Sequence, residues 1–282
     1  MWKIKIPDIT DSEKNLSLAF TNSKKNEEPV SSTITTILEL YSAYDEVGGI
    51  PSETLLGTSL GSTTLDRIHR AYDLVRSTGR LKHLKNRLKL SRSKCPYCGF
   101  GEASTLDHYL PRSRYKAHSI YARNLIPCCQ TCNRKKDKIA GTDPDTQFVH
   151  AYFFPQFKLQ FLFATVQIIE KSIVVDFEIK KNIEISDEDF RRAKFQLEQL
   201  DLNNRYIPEI ITFMLSNKRD IESLGSIGKS VLKDHFIQSH ADSCTLFGVN
   251  HWRTALWLAL AESDDFCGGG FAQILSEMTY RE

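Results

Sequence analysis

Residues 95–138 read CPYCGFGEASTLDHYLPRSRYKAHSIYARNLIPCCQTCNRKKDK. The stretch holds two Cys-x-x-Cys pairs, Cys95 with Cys98 and Cys129 with Cys132. Each pair lets two thiolates meet one ion, and two pairs complete the tetrahedral all-thiolate shell of a structural Zn²⁺. Glycine directly after Cys98 suits a knuckle turn. Cys128 is the ambiguous member. If it replaced Cys129, three residues instead of two would separate it from Cys132, so Cys129 is the expected ligand and Cys128 is expected to pack nearby. Between the pairs lies Leu106-Asp107-His108-Tyr109-Leu110-Pro111. A histidine titrates near neutral pH and can take a proton from water. A carboxylate and an amide oxygen are hard donors suited to Mg²⁺ or Mn²⁺, and Asp107 and Asn133 supply them. On a strand, adjacent side chains point to opposite faces, so Asp107 and His108 would face different surroundings. Asn133 follows the last thiol, so zinc would fix its place. Lys136, three residues on, shares its helical face within reach of a phosphate.

The charge around this segment is strongly biased. From Arg76 to Lys138 there are 16 basic and three acidic residues, a net of +13, while the whole chain of 282 residues carries only +2. A basic block on an acidic body attracts polyanions locally. Lys82, Lys85, Arg87 and Arg112 are the candidate phosphate contacts, with Lys136. No run of 18 apolar residues occurs, so no membrane partner is expected. Five of the seven cysteines fall between 95 and 132, and the N-terminal MWKIKIPDITDSEK lacks the pattern of a secretory signal. That usage fits metal binding in a reducing cytoplasm better than a disulfide framework.

Outward from the motif, the expected class is α+β, in three parts: a helical region over 1–90 with a basic helix, a metal-binding core over 91–147, and a hairpin plus helices over 148–282. Residues 1 to about 30 read as an extended or loosely packed arm. Ser31–Val47 reads as an amphipathic helix ended by two glycines, and Leu65–Leu90 as one or two helices interrupted at Gly79. Two β-branched and aromatic runs around Glu170-Lys171 predict a hairpin. Ser186 followed by three acidic residues opens a helix to about Leu200, and further helices are expected over 206–222, 226–239 and 249–262. The glycine run 268–270 reads as a flexible loop. His118 and His150 read as surface or packing residues, and Cys244 and Cys267 as ordinary thiols.

CPYC, LDHYLP and NLIPCCQTCNRKK, in this order and spacing, resemble the zinc-knuckle branch of the HNH endonuclease superfamily. The resemblance covers 95–138 and implies a ββα-metal fold: two antiparallel strands, a connecting loop and a helix around one divalent metal. It implies His108 as general base, Asp107 and Asn133 as ligands of catalytic Mg²⁺ or Mn²⁺, and Asn124 as the central asparagine that holds the loop and orients the histidine. Cys95, Cys98, Cys129 and Cys132 would bind structural zinc. Asparagine stands where the family's name places its final histidine. The implied activity is DNA cleavage, with RNA less favoured as substrate. The long flanks are similar in kind to those of bacterial anti-phage defence nucleases, some of which work with an ATPase subunit. The alternatives are a nuclease silent until such a partner or a second copy engages it, and a zinc-ribbon nucleic-acid-binding module with no chemistry. No Gly-x-x-x-x-Gly-Lys-Ser/Thr motif occurs, so an ATPase would be a separate chain.

Overall fold

A computed structural model describes residues 3–21, 31–76, 78–90 and 92–278. The chain forms two compact units, Lys3–Phe154 and a second that starts at Pro155. In the first, helices α1 (Ser12–Phe20), α2 (Ser31–Glu46), α3 (Ser62–Ala71) and α4 (Lys82–Leu90) precede strand β1 (Thr105–His108), strand β2 (Leu125–Cys128) and helix α5 (Gln130–Lys136). Helix α2 forms where predicted: Ile34, Ile37, Leu40, Tyr41 and Tyr44 repeat at helical spacing and are buried. Helix α1 corrects the expected arm over its own span. Its nine residues, SEKNLSLAF, carry too short an apolar pattern to stand out, yet Leu16, Ala19 and Phe20 are buried where α1 packs on α2 and α3. Positions 1–2 and 22–30 of that arm lie outside the described residues. The expected break at Gly79 is present. Helix α3 passes into a 3-10 turn at Tyr72–Val75, and α4 starts at Lys82. A Cβ on Gly79 would sit 2.0 Å from the Leu74 carbonyl oxygen, which also accepts the Leu81 N–H at 2.9 Å. A side chain would push that backbone contact apart.

Strands β1 and β2 pair antiparallel, with Asp107 opposite Ile126 and His108 opposite Leu125. The connection between them is buried for most of its length, including Tyr115, Ala117, His118, Ile120 and Tyr121. Helices α2 and α3 cover it: Tyr41 stacks on Tyr121 with ring centroids 4.0 Å apart, and α3 packs on the 3-10 turn Lys116–His118. From the other side Leu84 and Leu88 of α4 are buried, and α4 lies against both strands. The described residues of 3–90 and the cysteine-bearing core fall within one compact unit, Lys3–Phe154, whose helices bury the β1–β2 loop.

The second unit opens with the predicted hairpin. Strands β3 (Leu162–Ile169) and β4 (Ser172–Ile179) pair with Ile169 opposite Ser172, leaving the two-residue turn Glu170-Lys171. Glu170 takes φ 55°, the left-handed conformation such turns use. Helices α6 (Asp187–Gln199), α7 (Leu202–Ile227), α8 (Lys229–Phe247) and α9 (Trp252–Glu262) follow. The Ser186 hydroxyl caps α6 by accepting the Asp189 N–H. Helices α7 and α8 are longer than predicted; α7 begins before Pro208 and carries it internally. The expected flexible loop at the glycine run is instead a π turn, Phe266–Gly270, leading into α10 (Phe271–Glu277). Phe266 and Cys267 are buried, and a Cβ on Gly270 would lie 2.2 Å from Ile168 Cδ1. Gly270 permits close approach to β3 here. Among the described residues, no helix is long and apolar enough to cross a membrane.

Candidate active site

The four predicted thiols converge. Cys95, Cys98, Cys129 and Cys132 are all buried, with their sulfur atoms within 4.8 Å of one another. Zn–S bonds of about 2.3 Å in a tetrahedron place sulfur atoms about 3.8 Å apart, and Cys98 Sγ lies 3.9 Å from Cys129 Sγ. The Gly101 N–H points to Cys98 Sγ and the Cys132 N–H to Cys129 Sγ, both at 3.4 Å, so sulfur charge meets amide donors. Hydrogen bonds from Cys132 and Cys95 hold the Cys129 thiol well below its ordinary range. A Cβ on Gly101 would lie 2.9 Å from Cys129 Sγ, so the turn closes only around glycine. The cluster is compatible with structural zinc. Cys128 stands apart, as expected, with its sulfur 3.5 Å from Thr105 Oγ1, and burial pushes its thiol up. Cys129 is also the N-cap of α5, so a member of the thiol cluster starts the helix that carries Asn133 and Lys136.

Beside this cluster lies a cleft of about 640 Å³ lined by His69, Asp107, His108, Arg112 and Asn133, among others. His108 Nε2 is 2.9 Å from the Ser119 carbonyl oxygen. A carbonyl only accepts, so Nε2 carries the ring proton and Nδ1 keeps its lone pair. The Tyr72 ring meets the imidazole edge-on, centroids 4.3 Å apart. Burial, assisted by Arg112 and Lys136, pushes the His108 pKa down to about 3, so the ring is unprotonated at neutral pH. Asp107 is buried and accepts hydrogen bonds from the Tyr97 hydroxyl at 2.8 Å and from Lys136 Nζ at 3.2 Å. Asn133 Nδ2 donates to Thr105 Oγ1 at 3.2 Å and to the Leu106 carbonyl at 3.4 Å. Those bonds turn its Oδ1 the other way. Asp107 and Asn133 thus bring one carboxylate and one amide to a shared cleft, the carboxylate already engaged by Tyr97 and by Lys136.

Asn124 lies deeper. Its Oδ1 accepts the Leu110 N–H at 2.7 Å and the Tyr44 hydroxyl at 3.1 Å, and its Nδ2 donates to the Leu110 and His118 carbonyls, each at 3.1 Å. It pins the loop that carries Ser119, so its reach to His108 runs through backbone and not through a direct bond. Behind it stands His150. The Tyr152 N–H donates to His150 Nδ1 at 3.1 Å, which leaves Nε2 to donate to Tyr44 Oη at 2.9 Å. His118 is also buried, with Nε2 3.1 Å from the Leu55 carbonyl. Both are packing residues as read, though neither is on the surface.

The five predicted phosphate contacts separate. Lys82 is exposed on α4 and Lys85 partly so. Arg87 is drawn back to the Asp11 carboxylate at 3.0 Å. Arg112 lines the cleft with its guanidinium 4.9 Å over the Tyr72 ring. Lys136 departs from its expected role: it is fully buried, with Nζ 2.8 Å from the His108 carbonyl and against both Asp107 oxygens. Helical spacing placed it correctly beside Asn133 and said nothing of depth. Sequence reasoning missed His69, Tyr72, Tyr97 and Tyr44. Tyr97 could have been found, since it sits inside the first knuckle; the other three reach the site only through tertiary packing.

Residues 95–138 match the family model described as HNH endonuclease. Over 240 residues the chain is 25% identical to Protein ea31 of Escherichia phage lambda, covering 80% of this chain and 81% of that one. No solved structure matches. The matched segment spans both cysteine pairs, β1, β2 and α5, so the chain carries an HNH endonuclease domain there, and the likeness to the phage protein extends well into the flanks.

Proposed function

We propose that this protein is a metal-dependent endonuclease that hydrolyses phosphodiester bonds in DNA, with His108 as general base. One observation carries the reading: the Ser119 carbonyl fixes the His108 tautomer so that an unprotonated Nδ1 is available on the cleft that Asp107 and Asn133 also line. A ring held neutral accepts a proton from water as water attacks phosphorus. Asp107 and Asn133 would hold one Mg²⁺ or Mn²⁺, which supplies Lewis-acid stabilisation of phosphate charge. Arg112, with Arg134 and Lys138 at the rim, gives the cleft cationic walls for the phosphodiester backbone. Exposed Lys82 and partly exposed Lys85 on α4 extend that surface. The likeness to a phage protein over most of the chain supports a setting in the encounter between phage and bacterium.

The test uses zinc-loaded full-length protein with supercoiled plasmid, single-stranded DNA and RNA, in Mg²⁺, Mn²⁺ or chelator. Plasmid cleavage with Mg²⁺ or Mn²⁺ is expected to be lost in His108→Ala while zinc content and Tm hold. Undiminished cutting by that variant overturns the assignment of the base. Failure of the zinc-loaded wild-type protein to cut any substrate overturns the reading as a self-sufficient nuclease and favours the partner-gated alternative.

A further inference from the structure

We propose that His69, on α3 and outside the matched segment, is the general acid of this cleft and protonates the leaving oxygen. The inference rests on the nuclease reading above. His69 lines the same cleft as Asp107 and His108. Its Nδ1 lies 2.9 Å from the Arg112 carbonyl oxygen, so Nδ1 carries a proton and the ring is held by that edge. Nε2, on the opposite edge, has no hydrogen-bond partner among the described residues, while the ring as a whole is only partly buried. Tyr72 follows three residues later on the same helical face and meets His108 edge-on at 4.3 Å. His69 therefore lines the same cleft as the base, one turn before the tyrosine whose ring packs on it. The charged groups around the ring are Asp66 one turn earlier, which pairs with Lys116 at 2.6 Å, then Arg70 and Arg112, with the neutral His108 on the same cleft.

In-line displacement needs proton acceptance at the attacking side and proton donation at the leaving side. Two histidines on one cleft provide both when His108 is the neutral ring, accepting at Nδ1, and His69 the imidazolium, held through Nδ1–H by the Arg112 carbonyl and donating from Nε2. The water oxygen forms a bond to phosphorus, and its proton passes to His108 Nδ1. The bond from phosphorus to the leaving oxygen breaks, and the leaving alkoxide takes the Nε2 proton of His69 in its imidazolium form, which leaves the neutral ring with its remaining proton on Nδ1 towards the Arg112 carbonyl. His108 ends the cycle one proton richer and His69 one poorer, and exchange with solvent restores both.

The experiment compares wild type, His69→Ala and His69→Asn on two substrates with the same metal: duplex DNA, whose alkoxide must be protonated, and bis(p-nitrophenyl) phosphate, whose leaving group departs as a stable anion. Asparagine keeps an N–H near the Nδ1 position for the Arg112 carbonyl and lacks the acid. Both variants are expected to lose roughly 10²–10⁴-fold in kcat on DNA, the usual span for a general acid, and to keep near wild-type rates on the aryl ester. Zinc content, and DNA binding measured in chelator, should be unchanged. Equal loss on both substrates, DNA cleavage restored in His69→Asn, or DNA cleavage undiminished in His69→Ala each overturns the assignment of His69 and leaves the nuclease reading standing. A wild-type protein inert on both substrates overturns the two together.

Discussion

Replacing Lys136 by methionine removes a buried charge and keeps the side-chain length. Lys136 and Asp107 are 1% and 2% exposed, with Nζ 3.1 Å from one carboxylate oxygen and 3.2 Å from the other. Nζ also meets the His108 carbonyl at 2.8 Å and lies 5.9 Å from the ring centroids of Tyr109 and Phe148. In Lys136→Met the Asp107 carboxylate stays buried with the Tyr97 hydroxyl as its remaining hydrogen-bond donor. Breaking a buried pair from one side destabilises by about 3–5 kcal/mol. With a urea dependence of about 2 kcal/mol per molar, the midpoint should fall by about 2 M. Asp107→Asn strands the ammonium instead and should be similarly damaging. The double variant leaves no buried charge and should recover most of the loss. The assay must report on the right unit. Trp252 and Trp257 lie in the second, so tyrosine fluorescence and zinc release are the probes for Lys3–Phe154. A single-variant loss below about 1 kcal/mol, or a double variant as unstable as the sum of the singles, refutes the argument that this pair is coupled.

Cys95→Ser should abolish stoichiometric zinc and lower Tm, read by metal analysis and calorimetry; full zinc content would exclude Cys95 as a ligand. Tyr44→Phe removes the hydroxyl between His150 and Asn124, leaving buried polar atoms unpaired, and should cost about 1–3 kcal/mol by urea denaturation while zinc stays bound; an unchanged midpoint would show that the chain of hydrogen bonds does not hold the loop. Acid should destabilise the first unit through two buried histidines. Burial pushes His118 down to about 4, and burial together with Lys136 pushes His150 down to about 3. Unfolded histidine has a pKa of about 6.5, so the unfolded chain takes up protons that the folded one refuses. The stabilisation is complete above about pH 6.5 and is lost towards pH 4, at about 1.4 kcal/mol per pH unit for each histidine. Tm measured against pH should fall less steeply in His118→Gln and His150→Gln, which separates their effect from acid release of zinc; parallel profiles would refute it.

The metal chemistry was legible because it is local. Cys-x-x-Cys spacing and a turn glycine define a ligand set by themselves, and all four thiols meet. The hairpin and the α6 cap were legible for the same reason. What escaped depends on depth and on distant packing. Helix α1 is short and half polar, and only α2 and α3 give its apolar side a place. The glycine run 268–270 looks flexible in isolation, but packing on β3 selects one compact form. Lys136 counted as a surface cation until an acidic partner and two rings enclosed it. His69 lies 39 positions before His108, and nothing in the spacing links them.

The roof that α2 and α3 build over the β1–β2 loop limits how portable the HNH domain can be. Excision of residues 95–138 would keep the four thiols but strip Tyr72 from His108, Tyr44 from Asn124 and His69 from the cleft. Such a fragment would keep the thiol cluster and expose His108 to open water. Transplanting the proposed site onto another scaffold therefore requires the whole first unit, and any fusion joint belongs at its borders and not at those of the motif.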